Sequence, residues 1–398
     1  SGQVAEQWQS GKGIDRFAGF VLVGHAPMLR GSSHRQTADP VASWGVPNGA
    51  VRRRMGIVRA MDGPVDRPVV VLTGAAGSLG GRVADLLGAY DVVIADSPDG
   101  VGGGGPPLSD GRTVVAIVDL GSSDYDNRAA RRESATESAA STLAIADRTA
   151  ASHVVFVSSA LVYGAAANNP VPLTEDATLR PDVEFVFARQ LASAEELVEQ
   201  WRSAKVGRTS CVLRPAVALA AGGGSRLATA LVYGFGRRLA QADPPSQFLH
   251  LDDLAAAVAV GIERRLDGVF NVAPDGWVPG ERVRALSGER PRLPLPERVS
   301  ELVAGLRWRF LRGPIPPGLL PYTREPWVVS NGRLRAAGWT PTVTNEQTYV
   351  EGTEAPWWTM VSPKRRQELS LGIGAGLFAI AAMVGVGFGR RRLTRRRG

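Results

Sequence analysis

Cysteine and lysine are almost absent from this chain of 398 residues. The one cysteine, Cys211, excludes an intramolecular disulfide and points to a reducing compartment. It sits in the apolar run TSCVLRP and reads as an inert core thiol. The 46 basic residues include only three lysines, Lys12, Lys205 and Lys364, so 43 are arginines, a bias of GC-rich bacterial genomes. Excess positive charge is also missing from the body. The net charge is +8, but the stretch from Lys364 to the end carries nine bases and one acid and accounts for all of it. Residues 1–60 hold eight bases and three acids, net +5, which leaves residues 61–363 at −5. A mildly acidic body with basic ends excludes a nucleic-acid groove across the body, and a basic end beside an apolar run points to a membrane surface. No metal site is expected.

The stretch that organises the rest is VVVLTGAAGSLG, from Val69 to Gly80. Consecutive valines and a leucine predict a strand buried on both faces, and the glycines that follow open a helix. Such a turn can cradle a pyrophosphate. Gly74 permits the tight turn, Gly77 lets backbone N–H groups approach a phosphate, and Gly80 lets the helix that follows, Arg82 to Tyr90, lie close on the strand; Ser78 and Leu79 join the glycines as candidates for holding the cofactor. A second strand, DVVIAD, ends on Asp96, where an acid accepts hydrogen bonds from a ribose 2′-hydroxyl and repels a 2′-phosphate. If a dinucleotide binds, NAD is favoured over NADP.

Residues 1–65 show no sustained period and one short apolar run, FAGFVLVG, and are expected to be disordered. Met55 and Met61 leave open a shorter natural start. Beyond the glycine turn the chain alternates loop, strand and helix: a loop from Ser97 to Arg112, strand TVVAIVDLG, a helix over about 129–150, strand HVVFVSS, a helix from Glu184 to Ser203 and strand TSCVLRP. That rhythm predicts an α/β fold with a doubly wound parallel sheet, its core over 66–215. Residues 216–352 are expected to add further strands and a small substrate lobe. There Asp252 or Asp253 is expected to cap a helix, GVFNVA forms a strand, and Pro296 to Leu311 is a helix candidate. A Trp-containing basic linker at 353–368 precedes the last element. Residues 369–389, LSLGIGAGLFAIAAMVGVGFG, are 21 in a row without charge. As a helix they span about 31 Å, enough for a transmembrane anchor, and a basic tail follows at 390–398. The expected arrangement is a single C-terminal anchor with a cytoplasmic body, contacting lipid through 369–389 and the basic residues beside it; a re-entrant insertion with both basic flanks on one side also fits.

From about Pro68 to Gly352 the chain resembles the extended short-chain dehydrogenase/reductases, the NAD-dependent epimerase/dehydratase family. The pieces that carry the resemblance are TGAAGSLG, Asp96, VVFVSSALVYG from Val154 to Gly164, LRP at Leu213 to Pro215, HLDDLAAAV from His250 and RLRAAGWTP from Arg333. The resemblance implies a Rossmann-like fold and a serine, Ser158 or Ser159, that holds a substrate hydroxyl or carbonyl. It also implies a proton-exchanging YxxxK pair on one helix face. Here Phe187 stands where the tyrosine belongs and Leu191 where the lysine belongs, and neither exchanges a proton. None of the three lysines follows a tyrosine by four. Tyr163 has Ala167 at that spacing, and Tyr233 has Arg237, which stays protonated. Only 16 residues separate Asp96 from Thr113, where the family fits a further helix and strand. Two readings follow. One is a membrane-anchored binding or scaffold subunit, with a dinucleotide and a protein as partners. The other is an NAD-dependent oxidoreductase or epimerase on a nucleotide-linked or lipid-linked substrate, whose proton passes through Ser158, Ser159, Tyr163 or Glu175.

Overall fold

The computed structural model describes residues 67–95, 112–121, 134–221, 225–234, 243–286 and 317–353. The N-terminal arm, Asp96, the helix candidate at 296–311 and everything from 354 onward, including the expected anchor and tail, lie outside the described residues. Among the described residues no helix is long and apolar enough to cross a membrane.

Eight strands are present among the described residues: β1 (Val69–Thr73), β2 (Asp91–Ile94), β3 (Val114–Asp119), β4 (His153–Val157), β5 (Thr209–Pro215), β6 (Val217–Leu219), β7 (Phe248–His250) and β8 (Gly268–Val272). Six of them form one parallel sheet in the order β2-β1-β3-β4-β5-β8. The strands read as unbroken apolar runs because both faces are covered. Val70 and Leu72 of β1 join one core with helices α1 (Ser78–Leu86) and α5 (Leu251–Glu263). Val69 and Val71 point the other way, into a second core. It is closed by helices α2 (Ala135–Arg148) and α3 (Val186–Ser203). Alternation of period two thus divides β1 between the layers, and the doubly wound parallel sheet is the expected one.

The strand order places a switch between β1 and β3: from β1 the chain moves outward to β2, then returns across β1 to β3. Crevices at such switch points, beyond the carboxyl ends of the strands, are where ligands of these folds bind. Among the described residues β2 is the sheet's edge, short and mostly half-buried.

Local chemistry sets the helix ends. α2 starts on a capping box in which Glu137 N donates to Ser134 Oγ and Ser134 N donates to Glu137. α5 is capped by His250, whose Nδ1 accepts from Asp252 N at 3.2 Å, rather than by Asp252 or Asp253 as the sequence had led us to expect. Asp253 is the third residue of the helix, three past the cap, and turns inward. Its carboxylate accepts from Thr342 N, Thr342 Oγ1 and Val343 N at 2.9, 2.6 and 3.1 Å. Trp339 Nε1 donates to the Asp253 carbonyl at 3.0 Å. The resembling segments HLDDLAAAV and RLRAAGWTP are therefore two halves of one latch. Over the carboxyl edge sits a smaller layer of β6 and β7, paired in parallel, with α4 (Arg226–Gly234), α6 (Gly280–Leu286) and α8 (Asn345–Gly352). The short α7 (Gly332–Ala336) packs against β8.

Candidate functional site

The glycine turn has the shape a phosphate cradle requires. Gly74 has φ of +64°, and a Cβ there would stand 2.7 Å from Gly121 Cα at the end of β3. Gly80 admits no side chain either, since its Cβ would lie 2.1 Å from the Ala75 carbonyl oxygen. The helix thus closes on the turn itself, not on the strand. Gly77 caps α1 in an extended conformation, φ −82° and ψ 177°, with no side-chain cap. The first N–H groups of a helix have no intrahelical acceptor, and here they carry no capping side chain, which leaves Ser78 and Leu79 poised for an anion. Asp96, which follows β2, lies outside the described residues.

From that helix start an open cleft runs over the ends of β4 and β5. Ser78 and Leu79 line one end, Ser158 and Ser159 the floor, and Phe187, Val217, Leu231 and Trp327 are among the apolar wall residues. Ser78, Ser158, Ser159 and Ser225 supply the only hydroxyl groups of the described lining, and none of its residues titrates. Phe187, in the first turn of α3, faces this space with the serines. Leu191, one turn on, is fully buried in the α2–α3 core and does not reach the cleft.

Beneath the floor lies a buried charged network. Ser158 Oγ donates to Glu195 Oε1 at 2.5 Å. Arg214 Nη2 donates to Glu195 Oε2 at 2.6 Å, and its Nε spans both carboxylate oxygens at 3.1 and 3.2 Å. Arg214 Nη1 donates to the Tyr163 hydroxyl at 2.8 Å, and that hydroxyl donates to Asn271 Oδ1, also at 2.8 Å. Both charges are more than nine-tenths buried, so each depends on the other. Asn271 N donates to Glu175 Oε1 at 3.0 Å, while Asn271 Nδ2 has no partner among the described residues.

This arrangement divides the sequence candidates. Ser158 and Ser159 are brought together at the cleft, but the Ser158 hydroxyl is committed to Glu195, and Ser159 Oγ accepts from Leu161 N at 3.3 Å. Tyr163 is 1% exposed and outside the lining, and burial pushes its hydroxyl above its ordinary value. Glu175 likewise faces Asn271 and not the cleft. The side chains of Tyr233 and Arg237 lie outside the described residues. Glu195 was not anticipated, although a signal existed: it continues the buried stripe Ala188, Leu191, Val198 at spacings of three and four, where an acid needs a buried partner. Cys211 is fully buried, and burial raises its thiol pKa, as an inert core thiol requires.

The fold is thus a Rossmann-like α/β fold with a glycine turn at its switch point. Residues 111–273 match the model of the NAD dependent epimerase/dehydratase family. Among solved structures, the UDP-Glc/GlcNAc 4-epimerase of Campylobacter jejuni is 15% identical, with 74% of this chain and 100% of that one covered and a TM-score of 0.51. The UDP-glucose 4-epimerase of Thermus thermophilus, in complex with NAD, is 18% identical over 71% of this chain and 96% of that one, TM-score 0.49. The dTDP-glucose 4,6-dehydratase of Bacillus anthracis, also with NAD, is 14% identical over 74% and 97%, TM-score 0.49. No curated protein matches the sequence. At these identities the likeness is one of fold.

Proposed function

We propose that this chain is a dinucleotide-binding protein of the epimerase/dehydratase type that has given up the family's proton transfer and serves as a membrane-anchored binding or scaffold subunit. One observation carries the reading: the cleft beside Ser158 and Ser159 presents Phe187 and no titratable side chain among its described lining. The turn fits a dinucleotide. Its pyrophosphate would meet the N–H groups of Ser78 and Leu79, in a turn whose closeness depends on Gly74 and Gly80 and whose cap, Gly77, adds no side chain. NAD is preferred to NADP on the strength of Asp96, and when bound it supplies hydride chemistry. The chain's own groups do less. Ser159 can orient a carbonyl or hydroxyl, Phe187 excludes water, and Ser158 is held by Glu195. The charge-free run 369–389 ahead of six arginines supports a single C-terminal anchor, with the body on the cytoplasmic side, where nucleotides are. A protein partner completes the proposed role.

The test is a titration of NADH into the full chain in mild detergent, followed by energy transfer from the tryptophans, one of which, Trp327, lines the cleft. A panel of nucleoside-diphosphate sugars with NAD is then assayed for turnover. Saturable binding without turnover is expected. Absence of binding up to about millimolar NADH, or brisk turnover by the unaltered chain, refutes the proposal. The Ser158–Glu195 contact favours the enzyme reading, since it leaves a polar group set beneath the floor. Loss of a general acid or base slows a reaction by about 100- to 10,000-fold without abolishing it. On that reading, Phe187→Tyr raises a measurable basal rate.

A further inference from the structure

We infer that the cleft selects the reduced, uncharged form of a nicotinamide dinucleotide over its oxidised, cationic form. This rests on the dinucleotide reading above and specifies which redox state the site recognises. A dinucleotide at a switch point lies across the crevice, with its pyrophosphate at the helix start and its two halves on either side. The β2 side, where Asp96 follows the strand, takes the adenosine half. The other half then enters the cleft that begins at Ser78 and Leu79 and runs over β4 and β5.

The two redox forms share the adenosine, both riboses and the pyrophosphate, so those contributions cancel in the ratio of their affinities. What remains is the ring. The oxidised ring bears a delocalised positive charge and gives up hydration on entering the cleft, whereas the dihydro ring enters without that penalty. Repayment needs an acid, and the described lining holds none. Among the described residues Glu195 lies behind Ser158, its charge already matched by Arg214, which holds both of its oxygens, and Asp252, next to the lining residue Leu251, is paired with Arg82 at 2.6 Å. Leu191 brings no charge from below. The aromatic faces of Phe187 and Trp327 return part of the loss to a cation, but neither replaces a counter-ion. A protein built this way reports the reduced pool.

The test uses the full chain in mild detergent and compares NADH with NAD⁺ by titration calorimetry, so that no turnover is required. NAD⁺ is expected to bind about tenfold or more weakly than NADH. In parallel, Ala218→Asp places a carboxylate on the partly buried wall position Ala218, with Ala218→Asn as the uncharged counterpart. The acid is expected to shift the ratio toward NAD⁺ by about threefold or more relative to the amide. Equal binding of the two forms, or tighter NAD⁺ binding, overturns the selectivity and leaves dinucleotide binding standing. Equal shifts in the two variants also overturn it. If Ala218→Asp loses its cooperative melt, the ratio in the unaltered chain decides alone. Failure of both forms to bind up to about millimolar removes the dinucleotide reading and the selectivity together.

Discussion

Acidification from about pH 7 to about pH 5 is expected to destabilise the fold through a single imidazole. His153 opens β4 and is fully buried, with Nδ1 2.8 Å from Thr209 Oγ1 and Nε2 3.0 Å from the Gly261 carbonyl oxygen. A neutral ring serves both: Nε2–H donates to Gly261, and Nδ1 accepts from the Thr209 hydroxyl. Burial, opposed by the bond to Gly261 and aided by the positive charge of Arg265, lowers its pKa from 6.5 to about 4. In the unfolded chain the ring takes up a proton below about pH 6.5, while the folded ring resists until about pH 4. The stabilisation is therefore complete above the unfolded value and is lost as pH falls, by about 1.4 kcal/mol per unit, reaching about 3 kcal/mol at the folded value. Roughly 2 kcal/mol of this falls between about pH 7 and pH 5, where most carboxylates are still ionised. Urea unfolding of the full chain across that range, followed by tryptophan fluorescence, measures it. His153→Gln keeps a donor and an acceptor but removes the titration, so its stability should decline with pH less steeply by that amount. Parallel pH dependences for the two proteins would refute the argument.

Two further perturbations test the cradle and the network. Gly80→Val pushes a side chain into the Ala75 backbone, which has no flexible end to yield, and is expected to cost about 2 kcal/mol or more. It should also weaken NADH binding at least about tenfold, read by thermal melting and by titration. Arg214→Met leaves Glu195 buried without its counter-charge, an expected loss of about 3–5 kcal/mol, most of which Glu195→Met in the same chain restores. A double variant no more stable than the single one would show that the pair is not what holds this region.

Much of the fold was legible because its signals are local. The runs VVVLT, VVAIVD and HVVFV could only be strands covered on both faces, and their alternation with helices left a parallel sheet as the consistent arrangement. The helix at α3 starts at Val186, close to the expected Glu184, because its apolar stripe is strong. The cap of α5 is ambiguous in the sequence, since His, Asp and Asp can all accept from a helix start and only the packing of Trp339 and Thr342 shows which of them turns inward. The strands β6 and β7 are three residues each and carry no period long enough to read. Tyr163 looked available because its motif lies next to the cleft serines. Its ring instead enters the core, where Arg214 and Asn271 occupy its hydroxyl.

By itself the sequence determined the strand–helix rhythm, the glycine turn and the apolar pair Phe187 and Leu191 four apart on one helix, because each is a matter of residue type at short spacing. Tertiary structure alone decided which groups meet beneath the cleft. Glu195, Arg214, Tyr163 and Asn271 come from a helix, a strand end, a turn and another strand, far apart along the chain. Only the parallel stacking of β4, β5 and β8 brings them under one floor, where burial makes each charge and hydroxyl depend on the next.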